Sequence, residues 1–365
     1  MKKDAQEFLR TLLNTPSPSG SEQAAAALVR QRLHDGGITN MQTDLLGNTI
    51  ATINPNARFN LILTGHIDEV GLMITHIDDD GFLYVAQIGG FDSSLLVGQR
   101  VQILNARGVV TGVIGRKPIH LMDKADRDKP VKMDKIWLDI GAANKKQALK
   151  KVAVGDSLVI DASYQLLQGN RFTARGCDNR VGVFVVTEVL RNLAKRKIKI
   201  AVTGLAAAQE EIGSRGAAAA VYNIQPDAAI VFEVGHTTDY PGMNPKKDQD
   251  IKMDAGPIIH KGPNMNPPLT ADILHAAEQL KIPHQIRAEA RITPTDARAI
   301  QISRGGIPCA LIRIPNRYMH SPVELMSLRD IDLTIKLVTE FLANFHYNEQ
   351  STMNNVRQAK HNDKY

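Results

Sequence analysis

The chain is poor in the features that mark several large functional classes. Of its 365 residues two are cysteines, Cys177 and Cys309, and they form neither a CxxC pair nor a disulfide framework. A disulfide-held secreted scaffold is therefore excluded, and a reducing, cytoplasmic location is expected. Aromatic residues make up 5% of the chain and do not interleave with the basic clusters NKKQALKK (144–151) and RNLAKRKIK (191–199). Those clusters read as solvated faces, and no nucleic-acid partner is expected. No run approaches the roughly 18 consecutive apolar residues that a membrane-spanning helix requires, so no membrane partner is expected either. The opening MKKDAQEFLRTLL carries Asp4 and Glu7 in a helical apolar pattern, which does not suit a secretion signal. GxxxxGK[ST], a GxGxxG after a strand, GxSxG and HExxH are all missing, which disfavours nucleotide chemistry, a serine hydrolase and the common single-zinc protease.

What is present suits a folded protein of one large or two ordinary domains: 43% hydrophobic and 22% charged residues, with 44 basic and 38 acidic side chains giving a diffuse net charge of +6. Residues 4–14 and 21–36 have the periodicity of amphipathic helices, the second capped by Ser19 or Ser21. The apolar run NLILTG suits a buried strand. From about 71 to 163 short alternating runs (GLMITHI, FLYVAQI, RVQIL, GVVTGVIG, KIWLDIG, DSLVID) are separated by Gly and Asp turns, the pattern of a small all-β unit. Helices and apolar strands then alternate to about residue 346, as in a sheet covered on both faces. The expected division is 1–69 with 164–347 as one α/β domain, 70–163 as an inserted β-rich, barrel-like domain, and 348–365 as a frayed polar tail.

Ligands of such sheets collect beyond the carboxyl ends of the strands. Four such ends carry metal-type residues: His66 and Asp68 in LILTGHIDEVG, Glu210 and Glu211 in GLAAAQEEIG, Glu233 in AIVFEVGH, and His320 in NRYMHSPVE. Asp178 in RGCDNRVG adds a fifth position, just before a helix. Two imidazoles and three carboxylates form a mixed N/O set suited to zinc, cobalt or manganese. With Asp178 bridging, one cation takes His66 and Glu233 and a second takes Glu211 and His320. Glu210 then remains as general base, and Asp68 accepts the second ring N–H of His66 and fixes its tautomer. Adjacent acids with separate tasks cannot both lie on an ideal strand, so an irregular backbone is expected at 209–213.

The stretches GHIDEVGLMI, GVIGRKPIHLM, IWLDIGA, GCDNRVG, AAQEEIGSRGA, DYPG, TPTDARAI and IPNRYMHSPVELMSLRD, in this order over residues 5–345, resemble the M42-type dinuclear-metal aminopeptidases, the glutamyl and tetrahedral aminopeptidases. The resemblance implies an αβα phosphorylase/hydrolase-like catalytic domain and a β-rich insertion making dimer contacts. It also implies assembly as a homo-oligomer, dimer or twelve-subunit shell, and two divalent cations per subunit, zinc first. Its substrates are short peptides with a free N-terminus. Carried onto this chain, it gives His66, Asp178, Glu211 and His320 as ligands, Glu210 as base and Asp68 as the partner of His66. The family's usual Asp is replaced here by Glu233. Asp296 in TPTDARAI is a candidate for the substrate site or for a helix cap, and His120 in KPIHLM is a candidate for reaching a partner subunit's site. Competing readings are a glycoside hydrolase, because relatives have been labelled endoglucanases, and a non-catalytic metal-binding assembly protein. Two-carboxylate glycosidase chemistry has no need of two histidines, and a scaffold has no use for Glu210.

Overall fold

The computed structural model describes residues 1–127 and 129–345; the expectation of a frayed tail at 348–365 falls outside them. The residues described build two β systems. An eleven-stranded mixed sheet has at its centre four parallel strands, in the spatial order Ala201–Ala207, Asn60–His66, Ala228–His236 and Cys309–Arg317. Thr49–Ile53 and then Met41–Thr43 extend it antiparallel on one side; Glu324–Ser327, Arg171–Ala174 and Gln165–Leu166 extend it on the other.

Side chains that alternate along the central strands enter two separate cores, as the pleat requires. Leu61, Leu63, Ile230, Phe232, Ala310 and Ile312 pack with helices Lys3–Asn14, Gln23–Asp35, Cys177–Leu193 and Leu328–Ala343. Ile62, Leu205, Ala229, Val231 and Leu311 pack with helices Arg215–Ile224 and Asp296–Gln301. Burial on both faces explains why these strands read as continuous apolar runs.

The six alternating runs at 71–163 close into a barrel, in the order Gly71–Ile77, Leu83–Ile88, Ile136–Asp139, Gly108–Arg116, Arg100–Asn105 and Ser157–Ile160. It has its own core of Leu72, Ile74, Val101, Ile103, Leu138 and Leu158. One capping expectation fails. Helix Gln23–Asp35 is preceded by Glu22 without any side-chain cap, because Ser19 donates to Asp68 and Ser21 pairs with Ser157.

The sheet and helix Cys177–Leu193 come close together at two glycines, Gly65 and Gly182. A Cβ on Gly65 would lie 2.7 Å from the carbonyl carbon of Gly182 and 2.8 Å from the amide of Val183. His66 follows Gly65 and Asp178 lies one turn before Gly182, so this backbone contact sets their separation. Gly65→Ala is expected to destabilise the protein by about 1–3 kcal/mol, the usual range for overpacking, read as a lowered denaturation midpoint. An unchanged midpoint would show that the contact can relax.

Candidate metal centre

All the clustered groups lie where the parallel strands end. His66 is the last residue of its strand and Glu233 stands three residues before the end of its own. The strand leading to the paired glutamates stops at Ala207. Gln209 then takes a left-handed φ of 59° and Gly213 a φ of 117°, so the chain is irregular across 209–213, as expected. Tyr318 and His320 are also left-handed, at 63° and 58°. Such backbone is uncommon for non-glycine residues and costs of the order of 1 kcal/mol each, held here by the surroundings.

Two triads result. The Nε2 of His66 lies 3.2 Å from Asp178 Oδ1 and 3.7 Å from Glu233 Oε1. On the other side, the Nε2 of His320 lies 3.2 Å from Asp178 Oδ2 and 3.5 Å from Glu211 Oε1. Within each triad the potential ligand atoms all fall within 4.8 Å of one another, and Asp178 belongs to both. Asp178 Oδ1 and Glu211 Oε1 are buried and accept no hydrogen bond, which is how an unfilled cation ligand looks and not how a structural carboxylate looks. Carboxylate oxygens and imidazole nitrogens at these spacings fit a pair of divalent transition-metal cations.

Burial pushes the Glu233 carboxyl well above its ordinary range, and raises Glu210 and Glu211 as well, with Asp178 adding repulsion to each. Burial acts on Asp178 in the same sense but is outweighed by the imidazoles of His320 and His66 held against its two oxygens, so its carboxyl is held low. The carboxylate of Asp178, then that of Glu211, held against its ring pushes His320 up to about 11.

Asp68 faces the other nitrogen of His66: its Oδ1 lies 3.3 Å and its backbone oxygen 3.1 Å from Nδ1. The same carboxylate accepts the amides of Glu210 at 2.9 Å and Glu211 at 3.1 Å, and the hydroxyl of Ser19 at 2.6 Å. Glu210 points its Oε2 to within 4.0 Å of His66 Nε2, while its Oε1 accepts from Ser214 at 3.1 Å. Asp296 is fully buried and starts a helix that Thr295 caps instead. Burial, with Glu210 close by, pushes it up to about 8. His120 sits on the exposed barrel turn Ile119–Leu121, and among the described residues no hydrogen bond or ion pair joins it to the cluster.

Several supporting residues carry no mark in the sequence. Asn48 is buried between the two ends of the glutamate turn, accepting from the amide of Ala208 at 2.8 Å and donating to the carbonyl of Gly216 at 3.0 Å. Glu324 accepts from the amide of Asp178 at 3.0 Å and from Asn316 at 2.6 Å. Glu69 receives Arg180 at 3.0 Å and lies 3.3 Å from Arg175. Arg180 also donates to the carbonyls of Leu12, Thr15, Arg175 and Gly176. The only sequence hint is position: Glu69 follows Asp68, and Arg175 and Arg180 flank Asp178.

A profile described as M42 glutamyl aminopeptidase matches residues 47–337. The chain belongs to the M42 family. It is 34% identical to the lysyl aminopeptidase of Pyrococcus furiosus over 339 residues, 92% of this chain and 96% of that one. The TET aminopeptidase of a marine sediment archaeon, Thaumarchaeota archaeon SCGC AB-539-E09, superposes with a TM-score of 0.89 at 33% identity, covering 94% of this chain and 96% of that one. The TET1 peptidase of Pyrococcus horikoshii, whose structure is described as assembling into a tetrahedron or a large octahedral shell, gives 0.83 at 28% identity, covering 93% and 100%. As an M42 enzyme the protein is a hydrolase of peptide bonds, an aminopeptidase.

Asn48→Ala removes both ties on the glutamate turn and strands a buried amide and carbonyl. A loss of about 2 kcal/mol in stability is expected, together with reduced turnover; chemical denaturation and peptidase assays on the same preparation check both.

Proposed function

We propose that the enzyme removes the N-terminal residue of short peptides by a two-metal mechanism in which Glu210 is the general base. The observation that carries the reading is the pair of triads sharing Asp178, with Glu210 beside both and engaged by neither. His66, Asp178 and Glu233 would hold one cation and Asp178, Glu211 and His320 the other, with zinc first and cobalt or manganese as alternatives. Bound there, divalent cations supply Lewis acidity, lowering the pKa of a water and polarising the scissile carbonyl.

The chain's own part is proton handling and orientation. Glu210 takes a proton from the attacking water; the hydroxide so formed bonds to the carbonyl carbon; the C–N bond breaks, and Glu210 returns the proton to the leaving nitrogen. Burial raises Glu210, bringing its pKa nearer to working pH and making it a better proton carrier. Asp68 fixes the tautomer of His66 and, through the two amides it accepts, fixes where Glu210 and Glu211 stand. The glycosidase and scaffold readings gain no support: neither accounts for two imidazoles together with a glutamate that stands beside the triads and belongs to neither.

We further infer a homo-oligomer joined through the barrel, whose surface exposes Val109, Val113, Ile119 and Leu121 (the last at 65%). His120, in the same turn, is the residue we assign to a neighbouring subunit's site. The two buried, unpaired cysteines and the absence, among the described residues, of any helix able to cross a membrane fit the proposed cytoplasmic location.

Glu210→Gln is expected to lower kcat by about 10²–10⁴, with metal content by elemental analysis near that of the parent. Emptying of the site by this change would reverse the assignment of the two glutamates. Chelation is expected to abolish cleavage of free peptides and re-addition of zinc, cobalt or manganese to restore it, while N-acetylated peptides and β-glucan stay intact throughout. A monomeric mass by light scattering would remove the barrel interface from the proposal.

A further inference from the structure

The buried acid of TPTDARAI has no task in the proposed reaction. Asp296 is 1% exposed, and among the described residues neither of its buried carboxyl oxygens accepts a hydrogen bond. It opens helix Asp296–Gln301, but Thr295 caps that helix by accepting from the amide of Ala297, and the Thr295 hydroxyl pairs with that of Thr293 at 3.2 Å. The cap leaves the Asp296 side chain without a local partner.

Its place in the fold sets it behind Glu210. Ala297 and Ile300 lie in the same core as Ala217, Ala220 and Val221 of helix Arg215–Ile224, and Ser214 immediately precedes that helix. The charged groups that act on Asp296 are, in order, Glu210, His66 and Asp68, and the hydroxyl that acts on it is that of Ser214. Ser214 is itself 1% exposed and left-handed, at a φ of 54°. Its amide and that of Gly213 donate to the carbonyl of Glu210 at 2.9 and 2.8 Å, which folds the turn back and brings the serine hydroxyl to Oε1 of the same glutamate at 3.1 Å. Asp68 meanwhile accepts the Glu210 amide. The glutamate is thus held by its backbone and by one of its two oxygens.

Counting donors decides the state of Asp296. A serine hydroxyl has one proton to give and two lone pairs, and here the proton is spent on Glu210. An ionised Asp296 would be a buried charge with neither a cation nor a donor, which proteins avoid. A neutral Asp296 has a proton to give, and the lone pairs of Ser214 are free to take it. All three groups are then satisfied in one chain whose donors run toward Glu210, an arrangement in which each bond strengthens the next.

We propose that Asp296 is a positioning residue for Glu210: a neutral acid whose O–H, donated to Ser214, turns the serine hydroxyl onto Oε1 and leaves Oε2 as the basic oxygen. The proposal rests on the reading of Glu210 as general base and deepens it by naming which oxygen does the work and what selects it.

The test measures kcat, KM and metal content for Asp296→Asn, Asp296→Val, Ser214→Ala and the double variant Ser214→Ala/Asp296→Val, with Leu-Ala-amide as substrate. Asn keeps a donor without a charge, and Val fills the space without a donor. Ser214→Ala and Asp296→Val are each expected to lower kcat by about 10–100-fold, the cost of a misdirected reacting group, with KM within about twofold and metal content near that of the parent. The double variant is expected to be no slower than the worse single one, because both changes cut the same chain. Asp296→Asn is expected to recover most of the turnover that Asp296→Val loses. If Asp296→Val does not fold, Asp296→Asn set against Ser214→Ala carries the test, with the serine variant much the slower of the two. Turnover of Asp296→Asn as low as that of Asp296→Val or Ser214→Ala would show that a charge is required and would overturn the proposal, as would additive losses or full turnover in Ser214→Ala. Loss of metal from Ser214→Ala would overturn the base assignment of Glu210 along with it.

Discussion

Negative charge gathered in a place with little water is the constraint around which this molecule is arranged. Asp68, Asp178, Glu210, Glu211, Glu233, Asp296 and Glu324 converge at one edge of the sheet, and most of them are almost wholly buried. Carboxylates in such surroundings must be hydrogen-bonded, neutralised or bound to cations. Each solution occurs here, in a different place. Asp68 is saturated by two amides and a hydroxyl, Glu324 by an amide and a side-chain amide, and Asp296 is pushed toward its neutral form. Asp178 and Glu211 keep a buried oxygen that accepts nothing, as do both oxygens of Asp296, but only Asp178 and Glu211 have theirs within a triad that includes an imidazole. Free lone pairs therefore mark the proposed ligands only where an imidazole faces them, which separates Asp178 and Glu211 from Asp296.

Parallel strands bring these groups together because their carboxyl ends share one edge, but an edge is only a line. Depth comes from helix Cys177–Leu193, drawn against the sheet at Gly65 and Gly182 so that Asp178 reaches between the two imidazoles. Arg180 and Arg175 hold that helix start to the end of the first helix and to Glu69. A buried cluster of this kind gives little net stability. Its value is positional: it ties the loop after His66, the loop before Asp178 and the N-terminal helix into one unit.

The chain reads plainly where a chemical type and a structural position coincide. Apolar runs ending in His66, Glu210, Glu211 and Glu233 made both the sheet and its edge visible, and the alternating runs of 71–163 announced the barrel. Contacts between distant segments were not legible. Arg180 meets Glu69 across 111 positions, and Asn48 meets Ala208 across 160; nothing local distinguishes these from a surface arginine or a turn asparagine. Ser19 shows the opposite error. Its place before a helix suited a cap, and tertiary structure spent it on Asp68 because leaving that buried carboxylate short of a donor costs more than leaving a helix start to water.

The cationic groups beside the centre, Arg313 on the strand next to that of Glu233 and Arg287 two strands further on, could also be read only in three dimensions, because a net charge of +6 spread over the sequence points nowhere. Their location beside a proposed pair of divalent cations looks unfavourable until the surrounding acids are counted. Asp178, Glu210, Glu211 and Glu233 balance two divalent charges, so Arg313 and Arg287 face a region near neutrality and not a bare cation pair. Glu289 offsets part of what remains. In the proposed reaction the cations would set the chemistry, and the strands beside them carry the charges nearest to it.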